Sequence, residues 1–181
     1  MGISQDRALK RGSPLWLAVT GMLTAMNIVL SMSIFSIPVP GGHLYFCDVI
    51  INTAAMLMDP LAAFLVGGVG SFFGDMLFYP TPMFVSLVSH GLQAVVVSVL
   101  ARPEGNKRAL PSSCLAVGAG AIVMVIGYTL GRAFVYATPE TAMLKLPFEC
   151  LQGVFGAVVS IVLCYPLKLR EIFSRMVQSV R

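Results

Sequence analysis

The stretch PGGHLYFCDVIINTAAMLMDPLAAFLVGGVGSFFGDMLFYPTPMFVSLVSHGLQAVVVSVL, residues 40–100, decides the fold. It holds three apolar runs: Asp48 to Met58, Leu61 to Phe78, and Met83 to Ala101. Only Asp59-Pro60 and Tyr79-Pro80-Thr81-Pro82 separate them, and both are turn signals. Upstream, the apolar run Leu15 to Phe35 reads as a first helix, broken by Pro38, Pro40, Gly41 and Gly42. Downstream, a hydrophilic segment at 102–112 leads to a fifth apolar run, Cys114 to Tyr136. The segment ATPETAMLKLP then reads as a loop before a sixth run, Phe148 to Pro166. The expectation is an all-α integral membrane protein, one six-transmembrane-helix bundle spanning 1–181. Its polar parts are an arm at 1–14, an outer loop at 36–47, the linker at 102–112 and a tail at 167–181.

Composition agrees. Of 181 residues, 57% are hydrophobic and 11% charged, whereas soluble domains carry about 25% charged residues. A chain this short cannot hide that much apolar surface in a soluble core, and lipid is the natural solvent for it. The opening MGISQDRALKRGSP resembles a signal-peptide n-region. The run after it is too long for such a signal, and no small-residue cleavage site follows, so it reads as a membrane helix. The second run is short for a hydrocarbon core of about 30 Å, which implies tilt or extension by the loop before it.

The charges set the orientation. Arg7, Lys10, Arg11, Arg102, Lys107, Arg108, Lys168, Arg170, Arg175 and Arg181 all fall in segments on one side of this layout. Only Arg132 and Lys145 fall on or near the other. The bias places the N- and C-termini in the cytoplasm and requires an even number of spans. It also accounts for the net charge of +4 without nucleic acid as a partner.

Polar residues inside apolar spans are costly, so each is a candidate for function. Asp48 and Asn52 share a face of the second helix, and Asp75 lies near the end of the third. Ser86, His90 and Gln93 form one stripe on the fourth. Tyr128, Arg132 and Tyr136 form one on the fifth, and Glu149 and Gln152 sit together on the sixth. Most fall toward the outer ends, with His90 deeper, about two turns into the fourth helix, which suggests one polar cavity opening outward. Structural readings stand beside this. Asp48 suits a helix N-cap, Asp75 and Arg132 suit a buried ion pair, His90 suits a satisfied core histidine, and Glu149 suits an interfacial acid. The tyrosines suit an interfacial belt.

Catalytic motifs are missing from the sequence. It has no GxSxG, HExxH or P-loop pattern, so no catalytic or metal site is expected and any pumping must draw on a partner. Cys47, Cys114, Cys150 and Cys164 form no CxxC pair. Cys47 and Cys150 could both reach the outer face, but buried free thiols are the simpler reading. Ala18, Gly21 and Ala25 line one face of helix one, a small-residue pattern that permits close helix approach. That face suits either a partner or this bundle's own packing. The glycines of helix three, Gly67, Gly70 and Gly74, read as an internal face.

With these residues in view, nearly the whole chain resembles the substrate-binding S components of energy-coupling factor (ECF) vitamin transporters, in the subgroup often labelled riboflavin-type. The resemblance rests on the Gly-rich first loop, the Asp opening helix two, a Gly-rich helix three ending in Asp, and the Pro/Thr turn. Asp59-Pro60 departs from the usual Gly-Pro of that family. The resemblance implies a prokaryotic multi-pass cell-membrane protein that binds a vitamin or vitamin precursor near its outer face, with the first loop as a lid. Pyridoxine-like compounds, hydroxymethylpyrimidine, riboflavin and cobalamin remain open as ligands. The implied substrate-binding set is Tyr45, Phe46, Asp48, Asn52, Asp75, Tyr79, His90, Tyr128, Arg132, Glu149 and Gln152. Ala18, Gly21 and Ala25 would dock on a transmembrane coupling subunit served by two ATPases. ATP and magnesium would bind to those ATPases, leaving this chain without a cofactor. The rival readings are a self-sufficient secondary carrier and a membrane-embedded enzyme.

Overall fold

In a computed structural model, residues 9–32, 35–101 and 109–179 are described. Most of the arm, the first seven residues of the linker, and Arg7, Arg102, Lys107, Arg108 and Arg181 lie outside them. The described residues form α1 (Pro14–Leu30), a hairpin of β1 (Ile37–Val39) and β2 (Gly42–Leu44), then α2 (Cys47–Leu57). There follow α3 (Pro60–Phe78), α4 (Met83–Leu100), α5 (Ala109–Tyr136) and α6 (Pro139–Cys164), and finally α7 (Leu169–Ser179). The helices α3 to α6 are long and apolar enough to cross a membrane, while α1 and α2 are shorter apolar helices. Large apolar side chains such as Phe134, Leu115 and Leu151 face outward, and Asp48, Asn52, Gln93 and Glu149 are buried. A surface apolar on this scale needs lipid or protein against it.

The helix starts follow from local chemistry. Ser13 Oγ accepts from the Trp16 amide at 3.2 Å, and Pro14 opens α1. Asp59 caps α3 by accepting from the Leu61 amide at 3.0 Å, with Pro60 next to it. Thr138 and Thr141 form a reciprocal capping box at the start of α6, ahead of Pro139. That box explains one departure from expectation. The segment ATPETAMLKLP is not a loop but the first turns of α6 from Pro139 onward.

Three other boundaries differ. α5 begins at Ala109, so the end of the expected linker is helical. The outer loop carries the hairpin, with Val39 paired to Gly42 across Pro40-Gly41. Gly41 takes φ +81° there, as the third residue of such a Pro-Gly turn requires. The tail is the helix α7, whose Arg170 and Val177 are buried and whose Phe173 packs on the core cluster that contains Trp16 and Ala62.

Small residues set how closely α3 lies against its neighbours. A Cβ at Gly68 would stand 2.8 Å from the Leu87 carbonyl and 3.1 Å from Gly91 Cα on α4. On α1, Asn27 comes so near that a Cβ at Gly70 would lie 2.7 Å from its amide nitrogen. The reason is a π-helical turn over Leu65–Val69. Such a turn disturbs the backbone ladder, and Asn27 Nδ2 donates to the Val66 carbonyl at 2.7 Å and to Ser71 Oγ at 3.1 Å. The expected internal glycine face is therefore internal. By contrast Ala18, Gly21 and Ala25 are exposed on α1, with nothing within 4 Å of a Cβ built at Gly21.

Candidate functional site

The C-terminal end of α1, the start of α2, the end of α3, and α4 to α6 enclose a polar chamber beneath the hairpin. Three groups of side chains build it.

The first centres on Asp48, fully buried in the first turn of α2. Its Oδ1 accepts from Gln93 Nε2 at 2.7 Å and its Oδ2 from Gln152 Nε2 at 2.6 Å. Gln93 Nε2 also reaches Asn52 Oδ1 at 3.3 Å, and Gln93 Oε1 meets His90 Nδ1 at 2.7 Å. Gln152 Oε1 accepts from the Tyr45 amide at 2.9 Å, tying the loop after the hairpin to α6.

The second group is a relay on α3, α4 and α5. Tyr128 donates to Ser86 Oγ at 2.5 Å, and Ser86 donates to Asp75 Oδ2. The His90 ring stands edge-on to Tyr128 with centroids 5.1 Å apart.

The third lies under the hairpin. A second π-helical turn, Arg132–Tyr136, ends α5 and carries Arg132 and Tyr136 to the chamber. Arg132 donates through Nη1 to the Gly41 carbonyl at 2.8 Å and through Nη2 to Glu149 Oε1 at 3.3 Å. Its guanidinium also stacks over the Tyr136 ring at 5.2 Å. Lys145, equally buried, donates to the His43 carbonyl. Among the described residues, Arg132 Nε and the Tyr136 hydroxyl have no hydrogen-bond partner. Glu149 Oε2 and the Thr129 hydroxyl are neighbours, but neither is in hydrogen-bonding geometry. A buried unpaired polar atom costs roughly 1–3 kcal/mol, so such atoms in a chamber wall point to a ligand. On the loop, burial holds the Tyr45 hydroxyl well above its ordinary value of 10.0, which keeps it a neutral O–H.

Of the residues singled out from sequence, Tyr45, Asp75, Tyr79, His90, Tyr128, Arg132, Glu149 and Gln152 line this chamber. Asp48 and Asn52 do not line it but stand behind it, in the network that holds Gln93. Phe46 does not line it either and packs edge-on against Phe155, ring centroids 5.4 Å apart. The Asp75–Arg132 ion pair that stood as an alternative structural reading does not form, because Glu149 takes Arg132 and Ser86 takes Asp75. Lys145, Tyr136, Cys47, Ser31, Ser71 and Met124 line the chamber although the implied substrate-binding set did not include them. Tyr136 carried a signal, its place on the Tyr128–Arg132 stripe. Lys145 carried another, four residues before Glu149 on one helix face. Cys47 is a buried free thiol and Cys150 an exposed one, so they do not pair. Cys47, Asp48 and His90 present ligand atoms within 4.8 Å of one another. The glutamine amides already occupy both Asp48 oxygens and His90 Nδ1, so this trio is a hydrogen-bond hub.

An apolar helical shell around a chamber lined by polar side chains is the form of a membrane-embedded binder of a small molecule. The family described as "ECF-type riboflavin transporter, S component" matches residues 13–169. The chain is also 33% identical over 146 residues to a Pyrococcus woesei protein described as "Uncharacterized protein in gap 3'region", covering 79% of this chain and 95% of that one. The chain belongs to the ECF S-component family. It is therefore a membrane protein and a substrate-binding transporter subunit, not an enzyme, that takes a small-molecule substrate and works with an ECF module.

Proposed function

We propose that this chain captures a vitamin or vitamin precursor, a compact polar heterocycle, from outside the cell and delivers it to an ECF coupling module. In this reading α1 to α6 are the six spans of a multi-pass cell-membrane protein, with both termini cytoplasmic and the hairpin as an outer lid. The predicted ligand set is the chamber wall, above all Asp75, His90, Tyr128, Arg132 and Glu149. The observation that carries the reading is the pair of unpartnered donors, Arg132 Nε and Tyr136 O–H, on residues that line the chamber together with Gly42 and His43 of the hairpin. ATP and magnesium belong to the partner ATPases. The exposed face of Ala18, Gly21 and Ala25 is the proposed dock for the coupling subunit, and its lack of side-chain bulk permits the close helix approach such docking needs.

Purifying the chain alone and identifying any retained small molecule by mass spectrometry, then titrating a vitamin panel, tests the binding half. Sub-micromolar binding of one compound is expected, and no binding across the panel would defeat the reading. Gly21→Trp tests the docking half. Ligand affinity should stay as in wild type while uptake by cells carrying the module falls to background. Normal uptake in that variant would remove this face from the docking surface.

A further inference from the structure

We infer that Asp48, which does not touch the chamber, sets the hydrogen-bond polarity of its inner wall, so that His90 presents a bare Nε2 and the substrate is recognised by an N–H donor edge. This rests on the reading of the chamber as the substrate site and specifies the chemistry taken there.

One chain of hydrogen-bonded groups links Tyr45, Gln152, Asp48, Gln93 and His90. Each Asp48 oxygen faces an amide N–H and accepts from it, and a backbone amide only donates. Gln152 lies between an acceptor and a donor, Asp48 Oδ2 and the Tyr45 N–H. Its orientation is thus fixed from both ends, with Nε2 toward Asp48 and Oε1 toward Tyr45. Gln93 meets the same carboxylate through Nε2, so its Oε1 must face His90. An amide oxygen cannot donate, so the His90 proton sits on Nδ1. In the neutral ring the other nitrogen, Nε2, is then an acceptor. Because Nδ1 is turned into the Gln93–Asp48 network, Nε2 is the nitrogen left for the chamber that the ring lines.

The neighbouring relay ends with the same polarity. Tyr128 donates to Ser86 and Ser86 donates to Asp75, so both protons run toward the carboxylate and leave it an acceptor. Two acceptors, Asp75 and His90 Nε2, therefore form the inner wall. Across the chamber, Arg132 Nε is a free donor. The matching ligand is a heterocycle with an amine or ring N–H on one edge and an oxygen acceptor on the other.

Asp48 acts here through Gln93 and is a positioning residue. Exchanging it for Asn turns one acceptor into a donor, so one glutamine must turn over. Gln152 is pinned by the Tyr45 N–H, whereas Gln93 is not. His90 can change tautomer, and Asn52 Nδ2 is unpartnered and able to serve a reversed Gln93. Asp48→Asn should therefore move the His90 proton to Nε2.

The test is 15N NMR of the full chain in lipid nanodiscs, labelled on histidine. His43→Gln leaves His90 as the single histidine and keeps the backbone carbonyl that Lys145 uses. The expected result is the Nδ1–H tautomer in this background and the Nε2–H tautomer once Asp48→Asn is added. An Nε2–H tautomer or a doubly protonated ring before that change overturns the assignment, as does an unchanged tautomer after it. Should Asp48→Asn fail to fold, Gln93→Leu serves instead and should give a mixture of tautomers; a pure Nδ1–H signal there also overturns it. A binding arm compares pyridoxamine and a 4-aminopyrimidine with analogues carrying hydrogen in place of the amino group. The amino compound should bind about tenfold tighter or more, and Asp48→Asn should erase the preference; equal binding to wild type would refute the donor-edge rule. The NMR result needs no ligand. Failure of the whole vitamin panel would therefore sink the transport reading while leaving the tautomer assignment to stand or fall by itself.

Discussion

Two polar regions stand at opposite ends of the bundle, and they are built on different terms. At one end, Asp59 accepts from Arg11 at 3.1 Å, from Trp16 Nε1 and from two amides of α3. Nearby, Arg170 donates to Tyr165 and Ser113 and lies over the Tyr165 ring. These groups satisfy one another: Asp59 ties α1 to the start of α3, and Arg170 ties α7 to α5 and to the end of α6. At the chamber end, the groups are more deeply buried but leave Arg132 Nε and the Tyr136 hydroxyl without a partner among the described residues. Satisfied polar clusters fix structure, whereas unsatisfied ones in a cavity wait for a ligand. Expectations from sequence placed polar groups toward the outer ends and did not anticipate the first kind.

If that contrast is correct, substitutions at the two ends separate binding from stability. The largest effect is expected from Arg132→Gln, which removes the free donor and the bonds to Gly41 and Glu149. Hydrogen bonds to charged groups contribute about 1.5–3 kcal/mol each, so ligand affinity measured by titration calorimetry should fall about 100-fold. The single variant also leaves Glu149 buried without its cation, so it should melt earlier. The double variant Arg132→Gln with Glu149→Gln should recover the melting temperature but not the affinity. Full affinity in Arg132→Gln would break the comparison at the chamber end.

A smaller effect is expected at the other end. Asp59→Ala deletes an N-cap, worth about 1 kcal/mol, and strands the Trp16 N–H. Stability should fall by about 2 kcal/mol in total, while the affinity of the purified chain stays unchanged. A loss of affinity as large as that of Arg132→Gln would show that the two ends are not separate.

Much of the architecture was legible in the apolar runs, because hydrophobic length is a strong signal in a membrane protein. What escaped was polar segments that are nonetheless helical. Pro139, Glu140, Lys145 and Pro147 suggested a loop, yet Thr138 and Thr141 cap a helix there and Lys145 buries its ammonium against the His43 carbonyl. α7 escaped because its apolar residues form only one face. Helical spacing picked out Asp75, His90, Tyr128, Arg132, Tyr136, Glu149 and Gln152, which line the chamber, but it could not tell wall from support. Asp48 and Asn52 share a face with each other, yet that face looks into the Gln93 amide and not the cavity. Which of Asp75, Arg132 and Glu149 pair depends on helix rotation across the bundle, which no single helix encodes.

The acid response of Asp59 sharpens the comparison through its smallest expected effect. Partial burial pushes its carboxyl upward. The hydrogen bonds from Trp16 and the Leu61 and Ala62 amides, with the Arg11 charge, outweigh that and hold it below the ordinary 3.8. A group whose folded value is depressed stabilises the fold above its unfolded value and loses that contribution as pH falls through the folded one. The stability gap between wild type and Asp59→Ala should therefore be constant from neutral pH down to about 5 and shrink below about 4. Melting in detergent across that range measures it. Since the side chain is partly exposed and Arg11 more so, added salt should weaken only the Arg11 part. A gap unchanged at pH 3 would mean that the cap contributes through shape alone. That would leave the cluster around Asp59 held by packing, and the distinction between a saturated end and a waiting end would rest on Arg170, Tyr165 and Ser113.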